Sequence, residues 1–205
     1  MTAGRPRGGW PAGDGVGQDS PMATHIALLR GINVGGNNKV PMAELREVVA
    51  SLGHTGVSTY IQSGNVLFTS PDTRQAGLTQ RIEEMLAATF GYQATVVVRN
   101  RAQMRAVVEH APKGFGTEPA TYRYDAIFLK PPLTSKVAMK SVPTKPGVDE
   151  AHAGTGVLYF SRLIEKATQS RLNKIVSSPI YPNVTIRNWN TTTKLLSMMN
   201  EASLT

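Results

Sequence analysis

Three polar clusters hold the residues best suited to chemistry. The first runs Arg30-Gly31-Ile32-Asn33-Val34-Gly35-Gly36-Asn37-Asn38-Lys39-Val40-Pro41, after the apolar run His25 to Leu29 and before a helical pattern. A strand feeding a glycine-rich loop that opens a helix presents backbone N–H groups to an anion. Gly35 and Gly36 suit such an anion nest, with Arg30 and Lys39 supplying charge and Asn33 an amide. The other reading is that these glycines only permit a tight strand-to-helix connection at positive φ. Two nucleotide fingerprints fail here. Gly31 and Gly36 bracket four residues as in a P-loop, but Asn37 stands at the lysine position. Asn33 occupies the place of the second glycine of a dinucleotide motif.

The second cluster is Gln62-Ser63-Gly64-Asn65. Its side chains either contact a ligand or satisfy the backbone of a strand turn. As a nucleophile Ser63 would need a base, and nothing in the sequence places His25 or His54 beside it. The third cluster, Arg187-Asn188-Trp189-Asn190, joins a bidentate anion binder, two amides and a stacking ring at the head of a helix. The plainer alternative is that Asn190 caps that helix, Trp189 packs and Arg187 makes a structural ion pair. Glu83-Glu84 and Asp149-Glu150 are adjacent in sequence and read as solvated surface rather than as an acid/base pair or a magnesium site. Catalysis by acid/base chemistry therefore has no obvious agent.

Composition narrows the classes. The chain has no cysteine, which excludes disulfides, thiolate metal sites and cysteine nucleophiles. Its four histidines, His25, His54, His110 and His152, have no metal-ligand spacing, so no metal or cofactor is expected. No apolar run approaches the roughly 20 residues of a membrane span, and no secretory signal is evident. A cytoplasmic protein is the expectation. The net charge of +8 lies in the second half: residues 22–98 carry five Lys/Arg against five Asp/Glu, and residues 99–205 carry 15 against seven. That excess fits either a polyanion footprint or a solvated surface, since no dense basic cluster exists.

The elements that must position these residues follow from periodicity. Residues 1–21 form a Gly/Pro-rich tail expected to be disordered, with Met22 opening the folded part. A strand at 25–32, a helix at 42–52, strands at 57–61 and 66–68, a helix at 78–90 and a strand at 94–98 give the order βαββαβ. That is a ferredoxin-like split βαβ unit over residues 22–100. Asn100 is a candidate cap for a helix at 102–110, followed by a Pro/Gly-rich link from Pro112 to Ala120. Residues 101–205 read as a second α+β unit, either a looser repeat or an irregular fold. Its elements are a strand at 124–129, a helix at 133–139, strands at 147–151 and 157–160, a helix at 167–176, a strand at 184–187 and a last helix at 191–202. The fold class is α+β.

The segments Ala27 to Leu45, Thr59 to Phe68 and Thr185 to Leu195 resemble stretches of DUF1697, a family of unknown function. The resemblance extends more weakly from about His25 to the C-terminus. It implies a bacterial-type α+β protein with a ferredoxin-like N-terminal unit, and it brings no activity, substrate or catalytic residue. One local departure is Gln169-Ser170-Arg171-Leu172-Asn173, where relatives often have a Gly-Arg-Ser-Lys-Leu-like run. The charge is kept there by Arg171.

Three functions remain. The first is a module binding a phosphorylated small molecule or nucleotide where the two units meet, a usual place for pockets. The second is an enzyme acting on a phosphorylated substrate by charge stabilisation. The third is salt-dependent nucleic-acid binding through the basic half. An RNA-recognition sheet is disfavoured, because its aromatic signature is missing and only Tyr60 and Phe68 are available.

Overall fold

A computed structural model describes residues 22–33, 39–62, 64–91 and 93–203. The expected tail, Gly35, Gly36 and Ser63 lie outside the described residues. Strand β1 (Ala23–Arg30) leads to helix α1 (Met42–Ala50), then β2 (Thr55–Tyr60), β3 (Asn65–Ser70), α2 (Gln75–Phe90) and β4 (Thr95–Asn100). Helix α3 (Arg101–Glu109) follows. The second half runs β5 (Tyr122–Leu129), α4 (Ser135–Met139), β6 (Asp149–Gly154), β7 (Val157–Leu163), β8 (Val184–Asn188) and α5 (Trp189–Glu201). The protein is thus α+β, with two four-stranded sheets ordered β2-β3-β1-β4 and β6-β7-β5-β8. Every neighbouring pair of strands is antiparallel.

The second sheet repeats the order of the first, strand for strand. Ile26 pairs with Arg99 and Ala126 with Arg187; Leu28 pairs with Asn65 and Phe128 with Val157. Both central strands read as unbroken apolar runs because both of their faces are buried. Ala27 and Leu29 of β1 face α1 and α2, while Ile26 and Leu28 face a shared core. Ala126 and Phe128 of β5 enter that same core from the other sheet, with Met104 and Val107 of α3 and Leu195 and Met199 of α5. Ile127 and Leu129 point outward beneath α4.

The second crossover departs from expectation. Instead of one helix at 167–176 there are three 3-10 turns, Ala167–Gln169, Leu172–Ser177 and Tyr181–Asn183. Two side chains capture the backbone there: Ser170 Oγ accepts from Leu172 N at 3.3 Å, and Asp149 Oδ2 accepts from Arg171 N at 2.9 Å. Side-chain acceptors of this kind compete with helical hydrogen bonds, and Pro179 ends the segment. Asp149 is consequently buried, not solvated surface. Glu83 is also engaged, accepting from Lys130 Nζ at 2.6 Å and from Val96 N at 2.8 Å.

At the β1–β3 end of the first sheet, the rings of His25 and His54 lie 5.5 Å and 4.6 Å from that of Phe68. Both histidines are buried, and none of their four ring nitrogens has a hydrogen-bond partner among the described residues. Burial lowers both pKa values below 6.5; His54 adds to this at His25 and Arg81 at His54, with Asp72 opposing at each. The unfolded chain therefore binds more protons below about pH 6.5. Stability is expected to be level above that pH and to fall as acid takes the pH down through the folded values. Denaturant midpoints measured from pH 7.5 to 5 should show this slope in the wild type. The slope should flatten in the double variant His25→Phe, His54→Leu.

Candidate functional site

The second and third sequence clusters meet at one side chain, which also reaches the strand leading into the first. Arg187, near the end of β8, reaches across to the first sheet. Its Nε donates to Asn65 Oδ1 at 2.6 Å, and Nη2 donates to the carbonyls of Leu29 at 2.7 Å and Gly64 at 3.2 Å. Nη1 donates to Thr185 Oγ1 and to the Ile186 carbonyl, each at 2.8 Å. A guanidinium has five N–H donors, and these acceptors match them in number. Burial pulls the Arg187 pKa down to about 10. Asn65, itself fully buried, also donates to the Tyr60 carbonyl at 3.0 Å. The residues that looked like an anion clamp thus tie the first sheet to the second.

Arg99 does the same in reverse. It stands one residue before the end of β4, as Arg187 does in β8, and its Nη2 donates to the Leu129 carbonyl at 2.6 Å and to that of Gly156 at 3.0 Å. Each sheet lends one arginine to the other. The cations ending the central strands follow suit. Arg30 donates to the Tyr181 carbonyl at 2.7 Å and to Thr95 Oγ1 at 2.9 Å, with its guanidinium 4.3 Å from the Tyr181 ring centroid. Lys130 pairs with Glu83.

Asn33 sits at φ 53°, a conformation asparagine tolerates. Its side chain accepts from Val40 N at 2.8 Å and donates to the carbonyls of Val40 and Gln62 at 3.0 and 3.1 Å. It thereby closes the strand-to-helix connection and fixes it to the β2–β3 turn. Lys39 and Gln62 are exposed and, with Asn33 and Met42, border an open cleft of about 390 Å³. Neither Asn65 nor Arg187 lines it.

Asn188, Trp189 and Asn190 lie where β8 turns into α5. The cap is Asn188, not Asn190: Asn188 Oδ1 accepts from Thr191 N at 2.7 Å, so the helix starts two residues earlier than its pattern implies. Asn100 does the same for α3, accepting from Gln103 N at 2.9 Å. Trp189 meets Phe115 edge-on at 5.0 Å and Tyr159 at 6.3 Å. Tyr159 is fixed in turn by donating to the Val107 carbonyl at 2.8 Å.

These three residues line a cleft of about 450 Å³ with Tyr122, Arg123 and Arg162. It opens because β8 ends opposite Asp125, leaving Tyr122 to Tyr124 of β5 beyond the last pair. Asp125 is buried in its wall, its Oδ2 at 3.2 Å from Arg162 Nη2. Burial raises the Asp125 pKa against the opposing pull of Arg162 and Arg123. The equivalent cleft beside α3 is bordered by Met22, Thr24, Thr55, Arg101 and Ala102 and has no aromatic lining among the described residues. Sequence reading missed Tyr122, Arg123, Asp125 and Arg162. The available signal was the alternation Tyr-Arg-Tyr-Asp at the head of an otherwise apolar strand. Among the described residues no group of three or more His, Asp or Glu is arranged to hold a metal ion. No helix among them is long and apolar enough to cross a membrane.

Comparison with known proteins agrees with this architecture. No curated protein matches the chain. A solved structure titled the conserved bacterial protein SP0830 from Streptococcus pneumoniae is similar at a TM-score of 0.76 and 29% identity. The match covers 87% of this chain and 99% of that one. The family model for a protein of unknown function, DUF1697, matches residues 22–159. The chain belongs to the DUF1697 family.

Proposed function

We propose that this protein is a binding module for a small, planar, anionic molecule such as a nucleotide, held in the cleft at the β8–α5 junction. The reading takes each half as a unit of ferredoxin-like topology, divided near residue 100. It places the cleft within the second unit rather than at the seam expected from the sequence, since all its lining residues lie between Pro119 and Asn190. One observation carries it: of two clefts at equivalent places in the two sheets, only this one gathers Trp189, Tyr122, Arg123 and Arg162. Aromatic rings offer stacking surface, and arginines pair with carboxylate or phosphate. Asn188 and Asn190 add amide groups at its rim. Arg187 with Asn65 of the first half supports this site indirectly, by fixing β8 and its helix to the first sheet. Arg30 holds the segment before β8 through the Tyr181 carbonyl, while Asn33 only closes its own loop onto the β2–β3 turn. Lys39 and Gln62 remain candidates for a separate contact. Gly35, Gly36 and Ser63, outside the described residues, stay with that first-half reading.

The test is a titration of a Trp10→Phe variant, which leaves Trp189 as the only tryptophan. Nucleoside monophosphates are expected to change indole fluorescence saturably, and Arg123→Gln should weaken them about tenfold, or roughly 1.4 kcal/mol. A response confined to single-stranded RNA and lost in high salt would replace this reading with nucleic-acid binding. A flat response to both would sink it. An enzyme acting on a phosphorylated substrate is the second reading, favoured by the buried carboxyl of Asp125 in the same wall.

A further inference from the structure

Arg99 and Arg187 occupy equivalent places, yet their hydrogen bonding differs, and the difference exposes a second site. Around Arg187, Asn65 accepts from Nε and Thr185 from Nη1. The equivalent positions around Arg99 hold Val157, the first residue of β7, and Val97, two residues before the arginine. Neither can accept a hydrogen bond through its side chain. Arg99 is left with three acceptors, the carbonyls of Val98, Leu129 and Gly156. Its Nε–H and one Nη1 hydrogen have no partner among the described residues, and no carboxylate there forms an ion pair with it. The residue is nonetheless only 6% exposed. Arg99 is absent from the sealed, unpartnered polar groups, so its unused Nε–H remains accessible to a ligand.

Arg99 lines a cavity of about 210 Å³ at the seam between the sheets, with Ala76, Thr79, Val98, Lys130 and Pro131. The Glu83 carboxylate in the same wall is already neutralised by Lys130, so Arg99 is the uncompensated charge. The remaining surface joins an apolar part, from Ala76, Val98, Pro131 and the Thr79 side chain, to two amides, Gln75 and Gln80. We propose that this cavity binds a small organic carboxylate with a short apolar body, its anionic end on Arg99 and its body against Val98 and Pro131. The site is separate from the Trp189 cleft and owes nothing to its ligand. The apolar part of the wall favours a carboxylate with a short apolar body over inorganic phosphate, which has no apolar surface to bury.

The full-length protein is titrated with propionate, valerate, benzoate and inorganic phosphate while the Arg99 Nε–H resonance is followed by NMR. Arg99 itself is left intact because it ties the two sheets together. Thr79→Leu fills the cavity from α2 without touching the arginine, and Val157→Asn supplies the acceptor that Asn65 provides to Arg187. The expected result is a saturable shift with the apolar acids, at least tenfold weaker in Thr79→Leu and reduced in Val157→Asn, with both variants melting as cooperatively as wild type. No shift with any acid overturns the proposal. So does an equal shift in Thr79→Leu, and so does phosphate binding as well as benzoate.

Discussion

Replacing Arg187 by methionine is expected to remove about 4 kcal/mol or more of stability, enough to unfold many proteins of this size. The side chain is buried, and its loss strips donors from the carbonyls of Leu29, Gly64 and Ile186 and from the side chains of Asn65 and Thr185. Those acceptors sit at the end of β1, in the β2–β3 turn and on β8, so both sheets lose their mutual anchor at once. Lysine keeps the charge but concentrates its donors at one point, where it cannot span Asn65 and two carbonyls. Arg187→Lys should therefore recover less than half of the loss. Denaturant unfolding followed by circular dichroism measures both, and a methionine variant within 1 kcal/mol of wild type, roughly the effect of an ordinary substitution, would contradict the assignment.

Gly116 is the second sensitive point. It sits at φ 86°, and a Cβ there would come within 2.5 Å of Trp189 Cδ1. Gly116→Val combines backbone strain with a collision against a ring that Phe115 and Tyr159 hold edge-on. The expected cost is about 3 kcal/mol. The ring must rotate, so the near-ultraviolet dichroism of the indole should collapse while the far-ultraviolet spectrum keeps its shape. An unchanged indole band would show that the link from Pro112 to Ala120 does not shape the Trp189 cleft.

That link illustrates what could be read from the chain and what could not. Its prolines and glycines marked it as a connection, but spacing cannot say that Phe115 and Gly116 would wall in a tryptophan more than 70 residues later. Local signals were legible. The apolar stripes gave α1, α2 and α5, Gly91 closed α2 at φ 70°, and Asn100 capped α3. The repeat of strand order was legible only in outline, because short strands and side-chain capture by Ser170 and Asp149 obscured the second crossover. The site was the least legible part. Arginine in a polar cluster advertises a ligand, but Arg187 is occupied by carbonyls that no sequence pattern announces. Tyr122, Arg123, Asp125 and Arg162 come together only through the β5–β7 register and the early end of β8. Glu83 and Asp149, read as solvated, proved to hold Lys130 and the backbone of residues 145 and 171.

The exchange of arginines also bears on how the molecule comes apart. Two halves with the same strand order would ordinarily be free to melt one after the other, each around its own sheet. Here neither can open alone, because loosening the first bares the guanidinium of Arg187, and loosening the second bares that of Arg99. Each half is the solvent for the other's buried charge. A chain that looks like a tandem is therefore expected to unfold as one cooperative unit.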